Sequence, residues 1–194
     1  GSGHMGVGIS LAFLQAGLHV LLIDQAQEAL DGALQRIRET MEQEMARGRI
    51  DAVTRDQRLA ALTLSTDLAA IAGAGLVVEA VWEDMALKRE LFALIDRHAH
   101  ADAILATNTS TLDVAEIAQA TRRPEAVVGL HFFNPAQVMR LIEIVRTPLT
   151  SPQTLLAARA VASRIGKTGI VVGICDGFVG NRLMIVRERQ AGRL

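Results

Sequence analysis

The first six residues form a glycine pattern that few folds can use. Gly1, Gly3 and Gly6 fit G-x-G-x-x-G, and the apolar residues after them predict a helix. Two glycines of this motif let the backbone turn and approach a pyrophosphate, the third allows a helix to pack closely on a strand, and the helix N-terminus attracts the negative charge. This order of loop and helix predicts a dinucleotide site on an α/β fold.

The segment after this helix supports the same interpretation. Residues 17–24 form a short apolar run, typical of a buried parallel strand, that ends at Asp24. A carboxylate at that point accepts hydrogen bonds from a ribose 2′-hydroxyl and repels a 2′-phosphate, so NAD is favoured over NADP. In the alternative interpretation, GSGHM is a leader left by cloning and Asp24 is a surface acid. Such a leader would not be expected to continue in register into a helix, a strand and a terminal acid.

Strand-like and helix-like segments alternate along the rest of the chain. Apolar runs predict strands at 76–81, 103–107, 126–130, 140–146 and 168–174. Helical spacing of apolar residues predicts helices at 26–47, 54–61, 84–98, 111–120 and 151–165, and from about 177. This alternation predicts a doubly wound, mostly parallel sheet.

Composition excludes several classes of protein. The chain has 194 residues, a formal net charge of -1 and 50% hydrophobic residues, which is typical of a globular domain without a basic face for nucleic acid. No apolar run approaches the ~18 residues of a membrane span. The single cysteine, Cys175, indicates a reducing compartment, and we expect a cytoplasmic protein. No His, Cys and Asp spacing suggests a metal site.

One carboxylate falls among apolar residues of a predicted strand. Glu143 shares a strand face with Leu141 and Val145, and burying its charge without a partner would cost several kcal/mol. His131, 12 residues earlier, is the candidate partner. A carboxylate on one imidazole nitrogen fixes the tautomer and leaves the other nitrogen to exchange a proton with a substrate. The alternative, a solvated Glu143 and a structural histidine, stays open on spacing alone.

Other polar residues follow the predicted strands, and each has a plain structural alternative. Ser110 with Asp113 resembles a helix capping box. Glu83 and Lys88 fit a charged helix face. Asn181, inside the last helix, has modest helix propensity and is a candidate to contact a ligand.

Five blocks of the sequence resemble one family. They resemble the NAD-binding domain of the L-3-hydroxyacyl-CoA dehydrogenases, and most of all the bacterial enzymes, both stand-alone and fused to an enoyl-CoA hydratase. The blocks are GSGHMGVGI, VEAVWEDMALKRELF, ATNTSTLDV, GLHFFNPAQVMRLIEIV and CDGFVGNRL. The resemblance implies hydride transfer between an L-3-hydroxyacyl-CoA and NAD in fatty-acid β-oxidation, with an acyl-CoA as substrate and no nucleic acid or membrane partner.

The resemblance also implies roles for individual residues. His131 matches the catalytic base and Glu143 its carboxylate partner, and Ser110 and Asn181 match residues that hydrogen-bond the substrate oxygen. The residues that it places at the cofactor are Gly1, Gly3, His4, Met5, Gly6, Asp24, Glu83, Lys88, Ser110 and Asn134.

The resemblance implies a domain organisation as well. We expect a Rossmann-like NAD-binding domain at 1–174, with a helical insertion between 26 and 61 but without the strand that the family places before the glycine loop. Residues 175–194 would begin an all-helical second domain, through which the full-length protein forms a homodimer. Whether the chain is active without those parts stays open at this point. A non-catalytic dinucleotide-binding protein and a dehydrogenase of a free hydroxy acid stay open as alternatives.

Overall fold

The structure is a computed structural model that describes residues 1–192. Strands and helices alternate through most of this range. The strands are β1 (Val20–Ile23), β2 (Leu62–Ser65), β3 (Leu76–Glu79), β4 (Ile104–Thr107), β5 (Val127–Phe132), β6 (Leu141–Arg146) and β7 (Thr168–Gly173). The α-helices are α1 (His4–Gln15), α2 (Gln27–Ala46), α3 (Ala52–Ala60), α4 (Met85–His98), α5 (Val114–Ala118), α6 (Pro152–Arg164) and α7 (Gly180–Ala191).

The strands form two sheets. The larger has the order β3-β4-β5-β6-β7, and all its pairs are parallel except β5 with β6. The smaller consists of β1 and β2 in parallel. Within residues 1–192, no hydrogen-bonded ladder joins β1 to β3. The predicted α/β class with a mostly parallel sheet is confirmed.

Helices cover both faces of the larger sheet, because successive residues of each strand point to opposite sides. Leu105, Val127 and Val145 pack on one side with residues of α4 and α5. Ala106, Val128 and Ile144 pack on the other side with α1 and α6. The sheet is therefore buried on both faces, as expected for a doubly wound fold.

Helix α1 connects the two sheets. Its Ile9 lies in the core of the larger sheet, whereas Leu11 and Leu14 pack with Leu22 of β1 and with the apolar face of α2. The N-terminus of α1 consequently lies between the ends of β1 and β3, where the ideal Cβ position of Gly1 is 2.9 Å from the carbonyl oxygen of Ala80.

Some predicted boundaries were wrong. The strand predicted at 76–81 ends at Glu79. Of the helix predicted at 111–120, only the residues of α5 are helical. The last helix begins at Gly180 rather than near 177. Strand β2 was missed, because only alternate residues of this short strand contact the core. The last two residues of the predicted 175–194 segment lie outside the described residues. No helix within residues 1–192 is long and apolar enough to cross a membrane.

Candidate functional site

The glycine loop and the start of α1 form a cradle that fits a pyrophosphate. A Cβ on Gly6 would lie 1.9 Å from the carbonyl oxygen of Gly1, so only glycine permits this turn. A Cβ on Gly3 would meet no atom within 4 Å, which leaves open space above the helix. Among the described residues, no side chain caps α1 at Gly3 and its first turn carries no acid. Its unpaired N–H groups can therefore bind an anion.

Asp24 holds this loop through the second residue of the motif. Its Oδ2 accepts hydrogen bonds from the backbone N–H and the hydroxyl of Ser2, at 2.7 and 2.8 Å, and Oδ1 accepts a weaker one from the Ala26 N–H at 3.3 Å. Partial burial raises the pKa of Asp24, but the hydrogen bonds from Ser2 outweigh it and hold the pKa below its ordinary value. The carboxylate lies at the end of β1, where a ribose hydroxyl can reach it.

A buried ion pair organises the loop after β3. Lys88 Nζ lies 2.6 Å from Oε1 of Glu79, and both side chains are fully buried. Lys88 also donates to the carbonyl oxygen of Val81 and lies 3.3 Å from Oε2 of Glu83. The second oxygen of Glu79 accepts from the hydroxyl of Thr107 at 2.7 Å. The alternative in which Lys88 lies on a solvated helix face is therefore wrong.

Glu83 fixes the loop that carries Ser110. Its Oε1 accepts hydrogen bonds from the Thr109 hydroxyl, from the Ser110 N–H at 2.7 Å and from the Thr111 N–H at 3.1 Å. Partial burial raises the pKa of Glu83, but these hydrogen bonds and the Lys88 charge outweigh it and lower the pKa. The capping box predicted for Ser110 with Asp113 is wrong, because the Asp113 carboxylate itself caps α5 through the Ala115 N–H.

His131 and Glu143 form a second buried polar pair at this edge. Antiparallel pairing sets them opposite each other, and Nδ1 of the imidazole lies 2.7 Å from Oε2 of the carboxylate. Oε1 of Glu143 accepts hydrogen bonds from the N–H groups of Val179 and Gly180, both at 2.9 Å, where α7 begins. Glu143 is fully buried, so the alternative of a solvated Glu143 is wrong.

Two aromatic rings enclose the imidazole. The Phe133 and Phe178 ring centroids lie 4.8 and 5.6 Å from that of His131. Phe178 is buried and has a φ of 49°, a left-handed conformation that a bulky residue adopts only when its surroundings hold it there. Within residues 1–192, Nε2 of His131 has no hydrogen-bond partner. The geometry leaves this nitrogen available to a substrate.

The remaining predicted residues lie around this edge. His4 Nε2 lies 2.7 Å from Oδ1 of Asn134, and Met5 packs against the core of the larger sheet. Asn181, in the first turn of α7, lines a cleft with Thr111, Asp176 and Met184. No hydrogen bond among the described residues joins His131 to Ser110 or Asn181. No group of three or more potential metal ligands occurs among residues 1–192.

Three residues that hold the site together were not predicted from the sequence: Ser2, Glu79 and Phe178. Thr109 was expected at this edge, after the strand predicted at 103–107. Glu79 offered one signal, because it is an acid at the end of an apolar strand, as Asp24 is. Ser2 occupies a variable position of the glycine motif. Phe178 carries no sequence signal for its left-handed backbone.

Comparisons with known proteins agree with this geometry. The family described as "3-hydroxyacyl-CoA dehydrogenase, NAD binding domain" matches residues 1–175. A probable 3-hydroxybutyryl-CoA dehydrogenase of Bacillus subtilis is 37% identical over 191 residues, which cover 98% of this chain and 67% of the relative. The Homo sapiens peroxisomal bifunctional enzyme is 39% identical over 191 residues, which cover 98% of this chain and 26% of that enzyme.

A solved structure supports the same assignment. The crystal structure of Mycobacterium tuberculosis FadB2 superposes with a TM-score of 0.93 and 36% identity, over 100% of this chain and 71% of that one. The chain thus spans about two thirds of its stand-alone bacterial relatives and about a quarter of the bifunctional enzymes. The Rossmann-like fold and NAD as the cofactor are confirmed. The chain belongs to the 3-hydroxyacyl-CoA dehydrogenase family and comprises that family's NAD-binding domain.

Proposed function

We propose that this chain carries the cofactor site and the acid–base pair of an NAD-dependent L-3-hydroxyacyl-CoA dehydrogenase. One observation carries the proposal: a buried imidazole bonded through one nitrogen to a buried carboxylate, with its other nitrogen free of protein partners among the described residues. A cofactor domain that only bound a dinucleotide would have no need of this pair.

The reaction removes a proton from the 3-hydroxyl and a hydride from the same carbon. His131 Nε2 accepts the hydroxyl proton, and the Glu143 carboxylate, 2.7 Å from Nδ1, stabilises the positive charge that forms on the imidazole. The amides of Val179 and Gly180 hold that carboxylate in place. NAD, when bound, supplies the hydride acceptor. In the reverse direction, protonated His131 returns the proton to the 3-keto oxygen.

The other site residues position the reactants. Ser110, on the loop held by Glu83, and Asn181, which lines the cleft on α7, would hydrogen-bond the substrate oxygen. Glu83, Lys88 and Asn134 would line the nicotinamide end. Lys88 acts there through its bonds to the Val81 carbonyl and to Glu83. The glycine loop, His4, Met5 and Asp24 would hold the pyrophosphate and the adenosine.

The domain organisation is also a proposal. Residues 1–174 would be the NAD-binding domain, with α2 and α3 as the helical insertion, and the family's first strand would pair between β1 and β3, which belong to separate sheets among the described residues. Residues 175–194 would begin the helical domain that completes the acyl-CoA site and forms a homodimer. Action in fatty-acid β-oxidation and a cytoplasmic location remain predictions, and some relatives are peroxisomal.

Oxidation of NADH with acetoacetyl-CoA tests the proposal. The assay compares this chain with a chain extended at each end, since the relatives are longer. Activity that depends on the extensions would support a dehydrogenase completed by a second domain. Absence of turnover in both forms, with NADH still bound, would favour a non-catalytic dinucleotide-binding protein. Turnover of free 3-hydroxy acids in preference to their CoA esters would favour the alternative of a dehydrogenase of free hydroxy acids.

A further inference from the structure

Ser2, in the glycine loop, is held by two oppositely charged side chains. Asp24 accepts hydrogen bonds from its N–H and its hydroxyl, at 2.7 and 2.8 Å. Nη2 of Arg36 donates to its carbonyl oxygen at 2.9 Å. Ser2 is 1% exposed, so the loop is fixed between a carboxylate at the end of β1 and a guanidinium from α2. A guanidinium and a carboxylate therefore contact the same residue, Ser2, at the adenosine end of the proposed site.

The path of the Arg36 side chain explains how a residue of α2 reaches the loop. Side chains of a helix lean towards its N-terminus. Nη1 of Arg36 is accordingly 3.4 Å from the ideal Cβ position of Gly32, one turn earlier, and the absence of a side chain at Gly32 leaves room for the guanidinium. No carboxylate within residues 1–192 lies within ion-pair distance of Arg36. Its remaining N–H donors are free to bind an anion.

NAD and NADP differ at the ribose 2′ position, and a carboxylate and an arginine discriminate between them in opposite directions. In sites of this class a carboxylate bonds the ribose 2′-hydroxyl of NAD, whereas a nearby arginine accommodates the 2′-phosphate of NADP. Here both groups contact the same loop residue. The carboxylate repels the phosphate that the guanidinium would otherwise attract.

We propose that Arg36 is a second specificity-determining residue of the cofactor site and that it forms a 2′-phosphate site masked by Asp24. With Asp24 ionised, Arg36 holds the Ser2 carbonyl and the site takes NAD. With the charge of Asp24 removed, the Arg36 guanidinium binds the 2′-phosphate of NADP. This inference rests on the proposed binding of the dinucleotide at the glycine loop.

Calorimetric titration of the full chain with NADH and with NADPH tests the proposal. The wild type should bind NADH more tightly. Asp24→Asn keeps an acceptor for Ser2 but removes the charge, so the preference should move towards NADPH by about tenfold or more, the value of one hydrogen bond to a charged group. Asp24→Asn with Arg36→Gln should lose the gain in NADPH affinity, and its NADH affinity, which depends on Arg36 only through the hold on the Ser2 carbonyl, should fall by much less.

A matched control separates a specific contact from a general effect of charge. Arg38 is an exposed arginine of the same helix, and Asp24→Asn with Arg38→Gln should retain the gain in NADPH affinity. If Arg36→Gln weakens NADH and NADPH equally in the Asp24→Asn background, Arg36 only holds the loop and the inference is wrong. If the wild type binds no NADH, the proposed function fails instead, so the two failures are distinguishable.

Discussion

His131 and Glu143 lie directly opposite each other on β5 and β6, with Nδ1 and Oε2 2.7 Å apart. An antiparallel pair of strands brings directly opposite side chains within contact distance, so the backbone register itself sets this geometry. The start of α7 adds two N–H donors to the carboxylate. Hydrogen bonds from backbone N–H groups thus join the proposed acid–base pair to the segment that begins the proposed second domain.

Replacing the imidazole should stop turnover without affecting cofactor binding. In the extended chain of the proposed assay, His131→Gln should lower kcat by about 10²–10⁴-fold, the usual contribution of a general base. The NADH dissociation constant should stay the same, because the glycine loop is formed by other elements. His98→Gln, at an exposed histidine in the last turn of α4, is the matched control and should keep full activity. Turnover like that of the wild type in His131→Gln would remove His131 from the mechanism.

Glu143→Gln should act through the tautomer of His131. The amides of Val179 and Gly180 require an oxygen acceptor, so the glutamine oxygen would face them and its NH₂ group would face Nδ1. Nδ1 would then have to accept a hydrogen bond, and its proton would move to Nε2, the nitrogen that accepts the substrate proton in the proposed mechanism. In a Ser-His-Asp triad, a histidine held in the wrong tautomer lowers kcat by about 10⁴-fold. We expect Glu143→Gln to lower kcat by up to about that factor.

Nitrogen NMR of the imidazole distinguishes this explanation from a loss of folding. The variant should show a proton on Nε2 where the wild type shows it on Nδ1, together with a changed pH–rate profile. An unchanged tautomer and an unchanged profile would contradict a role for the carboxylate in orienting the base.

The sequence predicted those parts of the fold that depend on the residues of a single strand or helix. The apolar runs that became β4, β5 and β6 were identified because both faces of each strand are buried. Strand β2 was missed because it is a short edge strand whose Thr63 points to solvent. The antiparallel direction of β6 has no local signal, since it depends on how the chain returns after Phe132.

The residues of the candidate site likewise fall into two groups: those marked by their local sequence and those whose contacts join distant segments. His131, Glu143 and Asp24 are polar residues in or beside apolar runs, so the chemistry of burial makes them conspicuous. The buried contact of Lys88 with Glu79 depends on how α4 packs on β3, and nothing in the spacing of the two residues distinguishes it from a charged helix face. The contact of Arg36 with Ser2 joins residues 34 positions apart and is likewise visible only in three dimensions.

The ion pair of Lys88 and Glu79 should be costly to break singly. Lys88→Met leaves a fully buried Glu79 without its cation and should lower the free energy of unfolding by about 3–5 kcal/mol. Adding Glu79→Gln removes the orphaned charge and keeps an oxygen for the Thr107 hydroxyl, but its NH₂ group would face the Val81 N–H that Glu79 Oε1 accepts at 2.6 Å, so the double variant should regain part of that loss. Denaturant unfolding measures both. A double variant no more stable than Lys88→Met would show that the pair is not coupled.

Two glycines of the loop should respond to alanine in opposite ways. Gly6→Ala puts a Cβ 1.9 Å from the Gly1 carbonyl oxygen and should lower the free energy of unfolding by about 1–3 kcal/mol. Gly3→Ala meets no protein atom within 4 Å, and the φ of -66° suits alanine, so stability should not change. The added methyl group would lie where the pyrophosphate approaches, and NADH affinity should fall. Thermal unfolding and NADH titration separate the two effects. Unchanged NADH affinity in Gly3→Ala would place the dinucleotide elsewhere.

Asp96 should make the fold sensitive to acid. Its carboxylate accepts hydrogen bonds from Arg122 at 3.0 and 3.1 Å and from Arg123 at 2.8 Å, and joins the last turn of α4 to the segment before β5. Burial raises the pKa of Asp96, but these hydrogen bonds outweigh it and the pKa lies below its ordinary value. A carboxylate with a lower pKa in the folded state stabilises above its unfolded pKa of about 3.9, and the stabilisation is lost as pH falls through the folded value.

Asp96→Asn should therefore be less stable than the wild type at pH 7, and its free energy of unfolding should fall less on acidification below about pH 4. Asp102→Asn, which alters a side chain that is 93% exposed, should follow the wild-type curve and serves as the control. Urea unfolding between neutral pH and the acid limit provides the measurement. If the free energy of unfolding falls equally with acid in Asp96→Asn and the wild type, other carboxylates determine acid unfolding. The ionisation of Asp96 would then not contribute to the pH dependence of stability.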